Sequence, residues 1–141
     1  MASPYEENGC RNKVGMPYAA RMTHERRLSI LRMAFWAAAI FAFVMAIIPQ
    51  PPALPGAPND KLQHMMAFLM LGGLASFGYP KTSPVYLGAG LSLFGAFIEL
   101  VQYIPALHRD SDPIDWIADT AAAALILIAL HWLKGRLAAK D

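Results

Sequence analysis

The sequence is poor in cysteine and in charge. Its one cysteine, Cys10, excludes a disulfide bond within the chain. Cys10 also precedes every apolar run, so it does not stand behind a signal sequence as the lipid-bearing cysteine of a lipoprotein does. Ser111 lacks a defined base, and the sequence therefore offers no activated serine or cysteine nucleophile. Any chemistry must come from other side chains.

Charged residues make up only 16% of the chain and hydrophobic residues 56%, whereas soluble domains carry about 25% charged residues. The apolar residues form four blocks, at about 33–48, 62–79, 85–107 and 114–133. Each block is close to the roughly 20 residues that a helix needs to cross about 30 Å of hydrocarbon. The first block has no polar face, which a helix of a soluble bundle would show. The sequence predicts an all-α bundle of four transmembrane helices, with a soluble four-helix bundle as the alternative.

Basic residues are distributed unevenly around these blocks. Of the 12 lysines and arginines, only Lys61 and Arg109 lie in the connections after the first and third blocks. The positive-inside rule then places both termini in the cytoplasm. The predicted organisation is a flexible basic cytoplasmic tail at 1–30, a transmembrane domain at 31–134 and a short cytoplasmic tail at 135–141. A cleaved signal sequence is the alternative for the N-terminus, but no small-x-small cleavage site follows the first block.

This topology brings polar residues of three spans to one side of the membrane. Eight of them lie at the outer mouths of the second, third and fourth spans or in the loop above: Asp60, Lys61, His64, Glu99, Gln102, Arg109, Asp115 and Asp119. Residues three or four positions apart share a helix face, so the members on each span converge. An acid in hydrocarbon costs at least about 2.5 kcal/mol and marks a functional site by default. Glu99 and Asp119, the most deeply placed, and His64 are the candidate catalytic residues.

Several of these residues also have structural interpretations. The stretch around Asp112 and Asp115 is typical of a helix start, with Asp112 as its cap. Asp60 can cap the second span, and Lys61 can anchor its helix by extending towards the interface. Arg109 can do no more than neutralise neighbouring acids. The sequence leaves these roles open beside membership of a site.

Three motifs occur in a set order: D-K-x-x-H in "DKLQHMMAF", E-x-x-Q in "IELVQYIP", and R-x-x-x-x-x-D in "RDSDPID". This combination resembles the VanZ-like family of small bacterial membrane proteins, over about residues 58–130. The resemblance implies a multi-pass protein of the bacterial cytoplasmic membrane. The matching polar signature is Asp60, Lys61, His64, Glu99, Gln102, Arg109 and Asp115. The chain departs from the pattern at Asp119 and Ala122, where an asparagine followed by a glycine is expected. The family takes its name from a protein associated with resistance to the glycopeptide teicoplanin.

Two functions use the outer mouth as a site. In the first, a binding protein holds an envelope lipid, a cell-wall precursor or an amphipathic antibiotic. The ligand-binding residues would then be Asp60, Lys61, Gln102, Arg109 and Asp115. In the second, a membrane enzyme acts on a lipid-linked or phosphate-containing envelope substrate, with acid–base chemistry from His64, Glu99 and Asp119. Lys61 and Arg109 would hold a phosphate or carboxylate.

A third interpretation is structural, with the polar residues fixing the packing of the second, third and fourth spans. The predicted partner in every case is the lipid bilayer, and the sequence predicts no cofactor, no resident metal and no nucleic-acid partner. A variant of the enzyme hypothesis has a divalent metal bound by His64, Glu99, Asp115 and Asp119, although their spacing matches no standard metal motif.

Overall fold

A computed structural model of the chain describes residues 18–48, 60–107 and 112–139. Within these ranges the chain is helical and contains no strand, which confirms the all-α prediction. The helices are α1 (Tyr18–Ile47), α2 (Asp60–Gly78), α3 (Pro84–Gln102) and α4 (Pro113–Ala138), and a short 3₁₀ turn at Pro105–Leu107 follows α3.

Consecutive helices alternate in direction, as the contacts at their ends show. Gln102 near the end of α3 reaches Ala46 near the end of α1, and Lys61 at the start of α2 reaches Asp115 at the start of α4. We name this side, with the ends of α1 and α3 and the starts of α2 and α4, the acid-rich end. At the opposite side, Lys134 of α4 reaches Ser76 of α2, and we name that side the basic end.

The core lies along α2, which contacts each of the other helices and packs most extensively on α4. Phe68 and Leu71 of α2 are buried against Ile98 of α3 and Leu127 of α4. Small residues let α2 and α4 approach closely, since a Cβ on Gly72 would lie 2.5 Å from a methyl group of Ile126. The closely packed α2–α4 pair therefore fixes the relative positions of the side chains at both ends.

In the part of the chain that the structure describes, three helical segments are long and apolar enough to cross a membrane: Thr23–Ile47, Pro84–Gln102 and Pro113–Ala138. Their outward surfaces carry large apolar side chains, including Trp36, Phe41 and Leu125. A surface of this kind favours lipid rather than water as the surrounding medium. Helix α2 is less apolar because Lys61, Gln63 and His64 occupy its first turns.

Helix bounds differ from the predicted spans in three places. Helix α1 begins at Tyr18, within the predicted flexible tail, because the glycines and prolines of the N-terminal region all precede residue 18 and good helix formers follow. Helix α3 ends at Gln102 rather than at residue 107, since Pro105 cannot donate the next backbone hydrogen bond. Helix α4 continues to Ala138, through the predicted C-terminal tail's first residues.

Candidate functional site

The start of α4 presents two carboxylates to α2. Asp112 caps the helix in an extended conformation (φ −125°, ψ 112°), and its Oδ1 accepts a hydrogen bond from the Ile114 amide at 2.9 Å. Pro113 occupies the first turn, where an amide hydrogen would have no intrahelical partner. Asp115 and Asp119 follow one turn apart, so both side chains lie on the face that packs against α2. The cap predicted for Asp112 is confirmed.

Lys61 forms the outer layer of the site. Its Nζ lies 2.8 Å from Oδ1 of Asp115 and 3.5 Å from Oδ2 of Asp112. The side chains of Lys61 and Asp112 are 38% and 42% exposed, while that of Asp115 is 18% exposed. An ion pair this open contributes little to stability. The two contacts do, however, engage the Lys61 ammonium with both carboxylates.

His64 and Asp119 form the inner layer, one turn further along both helices. Nδ1 of His64 lies 3.4 Å from Oδ2 of Asp119, and the side chains are 13% and 3% exposed. The other oxygen of Asp119, Oδ1, is buried and has no hydrogen-bond partner among the described residues. A buried carboxylate oxygen without a hydrogen-bond donor destabilises the folded state and is uncommon in folded proteins.

Glu99 joins the site from α3. Its Oε2 accepts a hydrogen bond of 3.0 Å from the backbone amide of Asp112, so it holds the residue that caps α4. The contact links the last turn of α3 to the start of α4 across the intervening loop. Three helices thus deliver Lys61, His64, Glu99, Asp115 and Asp119 to one end of the bundle, where the predicted topology puts them.

Gln102 lies apart from this group. Its side chain is buried, at 4% exposure, and Nε2 donates a hydrogen bond of 3.0 Å to the carbonyl of Ala46 in α1. The structure therefore gives Gln102 a contact between α3 and α1, rather than a place beside His64 or Lys61. The predicted ligand residue Arg109 and the side chain of Asp60 lie outside the described part of the chain.

Polar contacts elsewhere in the bundle, among them those of two serines, were not predicted from the sequence. Ser92 of α3 accepts hydrogen bonds from Trp116 and Thr120 of α4 through its Oγ, at 3.2 and 3.0 Å. At the basic end, Lys134 donates to Ser76. Both serines are isolated in apolar helices, and only their spatial partners distinguish them from surface residues. The role of Asp112 as a partner of Lys61 was also missed, because an N-cap residue has a non-helical backbone and the spacing rule for a helix face does not apply to it.

The acids outnumber the bases at this end. Four carboxylates, those of Glu99, Asp112, Asp115 and Asp119, surround one ammonium and one imidazole in the described ranges. No group of three or more His, Cys, Asp or Glu side chains in these ranges has the arrangement of a metal site. The arrangement can accept hydrogen bonds from a donor group or position an imidazole for proton transfer.

Comparison of the chain with protein-family models, curated proteins and solved structures gives no significant match.

Proposed function

We propose that the chain is a four-span protein of the bacterial cytoplasmic membrane, VanZ-like in its motifs, with α2 as the fourth span and both termini in the cytoplasm. The 19-residue length of α2 matches that of α3. Its polar first turns face α4, and most of its remaining length is enclosed by the other helices. A helix so enclosed needs less lipid-facing apolar surface than its neighbours. The uneven distribution of lysine and arginine supports the orientation.

The function proposed is the binding of an envelope amphiphile at the acid-rich end, through a group that donates hydrogen bonds. The observation that carries it is the buried Oδ1 of Asp119, which lacks a donor among the described residues. In a purely structural network, each buried polar atom would have a hydrogen-bond partner. An ammonium or amide group of the ligand would supply the missing donor, beneath the exposed layer formed by Lys61 and Asp112.

The balance of charge supports a cationic group over a phosphate. Lys61, which could otherwise hold an anion, is engaged by Asp112 and Asp115. An added anion would meet four carboxylates in the described ranges, whereas an ammonium would reduce their mutual repulsion. Among envelope lipids, cell-wall precursors and amphipathic antibiotics, the fitting ligands are those that carry an amine.

One observation favours the membrane enzyme as a second candidate. The contact between His64 Nδ1 and Asp119 orients the imidazole as a carboxylate orients a general base. On this hypothesis a His64→Gln variant keeps the affinity for the amphiphile and loses its turnover. Product analysis by mass spectrometry after incubation with lipid distinguishes the enzyme from a binding protein.

Native mass spectrometry of the full chain in mild detergent tests the binding proposal. The probes are phosphatidylethanolamine, whose primary ammonium donates hydrogen bonds, and phosphatidylcholine of the same chain length, whose quaternary ammonium does not. We expect tighter binding of phosphatidylethanolamine. Asp119→Asn should weaken it about tenfold, because a charge-assisted hydrogen bond contributes about 1.5–3 kcal/mol.

The matched control is Ser92→Ala, which removes a different polar contact between α3 and α4 and should leave the affinity unchanged. Equal binding of the two lipids, or equal affinity of the wild type and a folded Asp119→Asn variant, would overturn the proposal. Loss of folded protein in both Asp119→Asn and His64→Ala would favour the structural network instead.

A further inference from the structure

The basic end contains a cavity that the proposed function does not use. It has a volume of about 380 Å³ and lies between the ends of α2 and α4 and the turn that leads into α3. Its polar lining consists of four hydroxyl groups and three nitrogen-bearing side chains: Ser76, Tyr79, Thr82, Ser83, Lys81, His131 and Lys134. The volume lies within the range of small-ligand sites. None of the described residues in the lining is acidic.

Lys134 is held in place but is not neutralised. Its Nζ donates hydrogen bonds of 2.7 Å to the carbonyl and 2.9 Å to the hydroxyl of Ser76, which is itself buried at 8% exposure. The ammonium also lies 4.5 Å from the centre of the Phe77 ring. In the described ranges no carboxylate pairs with Lys134, because the ion pairs all involve Lys61 or His64. A partly buried cation without a counter-ion favours an anionic ligand.

Lys81 adds a second positive charge beside the turn, and it is exposed. The N-terminus of α3, which begins at Pro84, also forms part of the cavity wall. Pro84 has no amide hydrogen and the Val85 amide donates to Oγ of Ser83 at 3.4 Å, so α3 contributes the positive end of its dipole rather than open amide donors. The cavity therefore combines two ammonium groups, an imidazole, hydroxyl donors and a helix start, a combination suited to a phosphate group.

An apolar groove adjoins this cavity. Its volume is about 350 Å³, and Tyr79, Thr82 and Leu87 line both spaces. Its other lining residues come from α1, α2 and α3 and are mostly aromatic or aliphatic: Phe35, Trp36, Ala75, Tyr86, Leu91 and Phe94. Tyr79 is fixed between the two spaces, since its hydroxyl accepts a hydrogen bond of 3.0 Å from Trp36 and Arg32 lies 5.1 Å from its ring.

We infer that the basic end binds an anionic phospholipid, with the phosphate in the cavity at Lys81 and Lys134 and an acyl chain in the adjoining groove. The groove distinguishes a lipid from a soluble phosphate compound, which would leave this apolar surface uncovered. The lipid is anionic overall because the cavity presents positive charge and no acid is among its described lining residues. This inference depends on a membrane location and is independent of the amine site at the acid-rich end.

The test is native mass spectrometry of the full chain in mild detergent with phosphatidylglycerol and phosphatidylcholine of equal chain length. We expect the wild type to prefer phosphatidylglycerol. Lys81→Gln/Lys134→Gln should lower that affinity about tenfold or more through lost charge-assisted hydrogen bonds. The matched control, Arg27→Gln/Arg136→Gln, removes the same charge from exposed positions outside the cavity and should retain the preference.

A second pair of variants tests the acyl-chain groove. Gly90 lines the groove and has no heavy atom within 4 Å of an added Cβ. Gly90→Leu should therefore fill the groove and lower the affinity for long-chain phosphatidylglycerol severalfold. Gly73 is equally open but lines neither space, so Gly73→Leu is the control.

Equal affinities of the wild type and the double lysine variant for phosphatidylglycerol would overturn the inference. Binding of inorganic phosphate as tight as that of phosphatidylglycerol would also overturn it, since the acyl chain would then contribute nothing and the occupant would be a soluble phosphate. If Lys134→Gln does not fold, the single variant Lys81→Gln tests the inference, because Lys81 is exposed and its substitution should leave the fold intact. An Asp119→Asn variant should leave phosphatidylglycerol binding unchanged, which separates this site from the acid-rich end.

Discussion

Two buried polar residues at the acid-rich end differ in how completely their hydrogen bonds are satisfied. Gln102 donates to the Ala46 carbonyl, whereas Oδ1 of Asp119 has no partner in the described ranges. Both side chains are almost inaccessible, at 4% and 2% exposure for the residues. Their contributions to stability should therefore have opposite signs.

Gln102→Leu should destabilise the fold. The substitution removes the donor to Ala46 in the contact between α1 and α3, and a hydrogen bond of this kind contributes about 1 kcal/mol. Thermal unfolding in detergent, followed by circular dichroism, should show a lower Tm. An unchanged Tm would mean that apolar contacts alone fix α3 against α1.

Asp119→Asn should raise the Tm while it weakens amine binding. The substitution keeps the shape of the side chain and an oxygen that can accept a hydrogen bond from His64 Nδ1. It removes a buried charge near Asp115, so the folded state loses a repulsion and part of a desolvation cost. Functional sites commonly retain such unfavourable groups at the expense of stability. The same unfolding experiment measures the change, and a clear fall in Tm would assign Asp119 to a structural network.

The sequence predicted which polar residues lie at one end of the bundle better than it predicted their partners. Spacing of three or four positions correctly grouped Lys61 with His64 and Asp115 with Asp119, since a helix places such residues on one face. The same rule grouped Gln102 with Glu99, but the two side chains point to different neighbours. A spacing rule describes one helix, whereas the partner depends on how the helices are rotated against each other.

At the scale of the helices, the close contact of α2 with α4 depends on Gly72. A Cβ there would lie 2.5 Å from Ile126 Cγ2 and 3.4 Å from the carbonyl oxygen of Ala123. Its neighbour Gly73 has open space at the same position. The two adjacent glycines therefore form a matched pair for testing the packing.

Gly72→Ala should lower stability by about 1–3 kcal/mol, because α4 or Ile126 must move to admit the methyl group. Gly73→Ala should leave stability unchanged or raise it by up to about 1 kcal/mol, the gain in helix propensity. Tm values of the two variants in the same detergent provide the comparison. Equal effects would show that α2 and α4 separate without cost.

The existence of the helices was predictable from the apolar blocks, and some of their ends were not. An apolar block shows which segment lipid can surround. The helix itself can extend beyond that block as long as the residues there are good helix formers. Helix α1 therefore extends back to Tyr18 through a polar segment. Conversely, the predicted third span continued to residue 107, but Pro105 interrupts its backbone hydrogen bonds and α3 ends at Gln102.

At the scale of the whole molecule, charge is separated along the bundle. The acids of the described helices lie at the acid-rich end, except for Glu25 near the start of α1. Lysines and arginines dominate the opposite end, with Arg32, Lys81 and Lys134 close to the end of α2 or its following turn. The apolar surface between them is the part suited to the hydrocarbon layer. In the proposed location, a cytoplasmic membrane, the positive-inside rule favours the orientation with the basic end inside.

This orientation predicts which positions react with an impermeant maleimide in intact cells. In a chain that carries Cys10→Ser, cysteines introduced by Ala57→Cys and Asp110→Cys should be labelled, because both connections adjoin the acid-rich end. Thr82→Cys, in the turn between α2 and α3, should react only after the cells are permeabilised. Labelling of all three positions in permeabilised cells is the control for reactivity. The reverse pattern would place the amine site in the cytoplasm and the phospholipid site in the outer leaflet, and the ligands would then have to be sought among cytoplasmic amines.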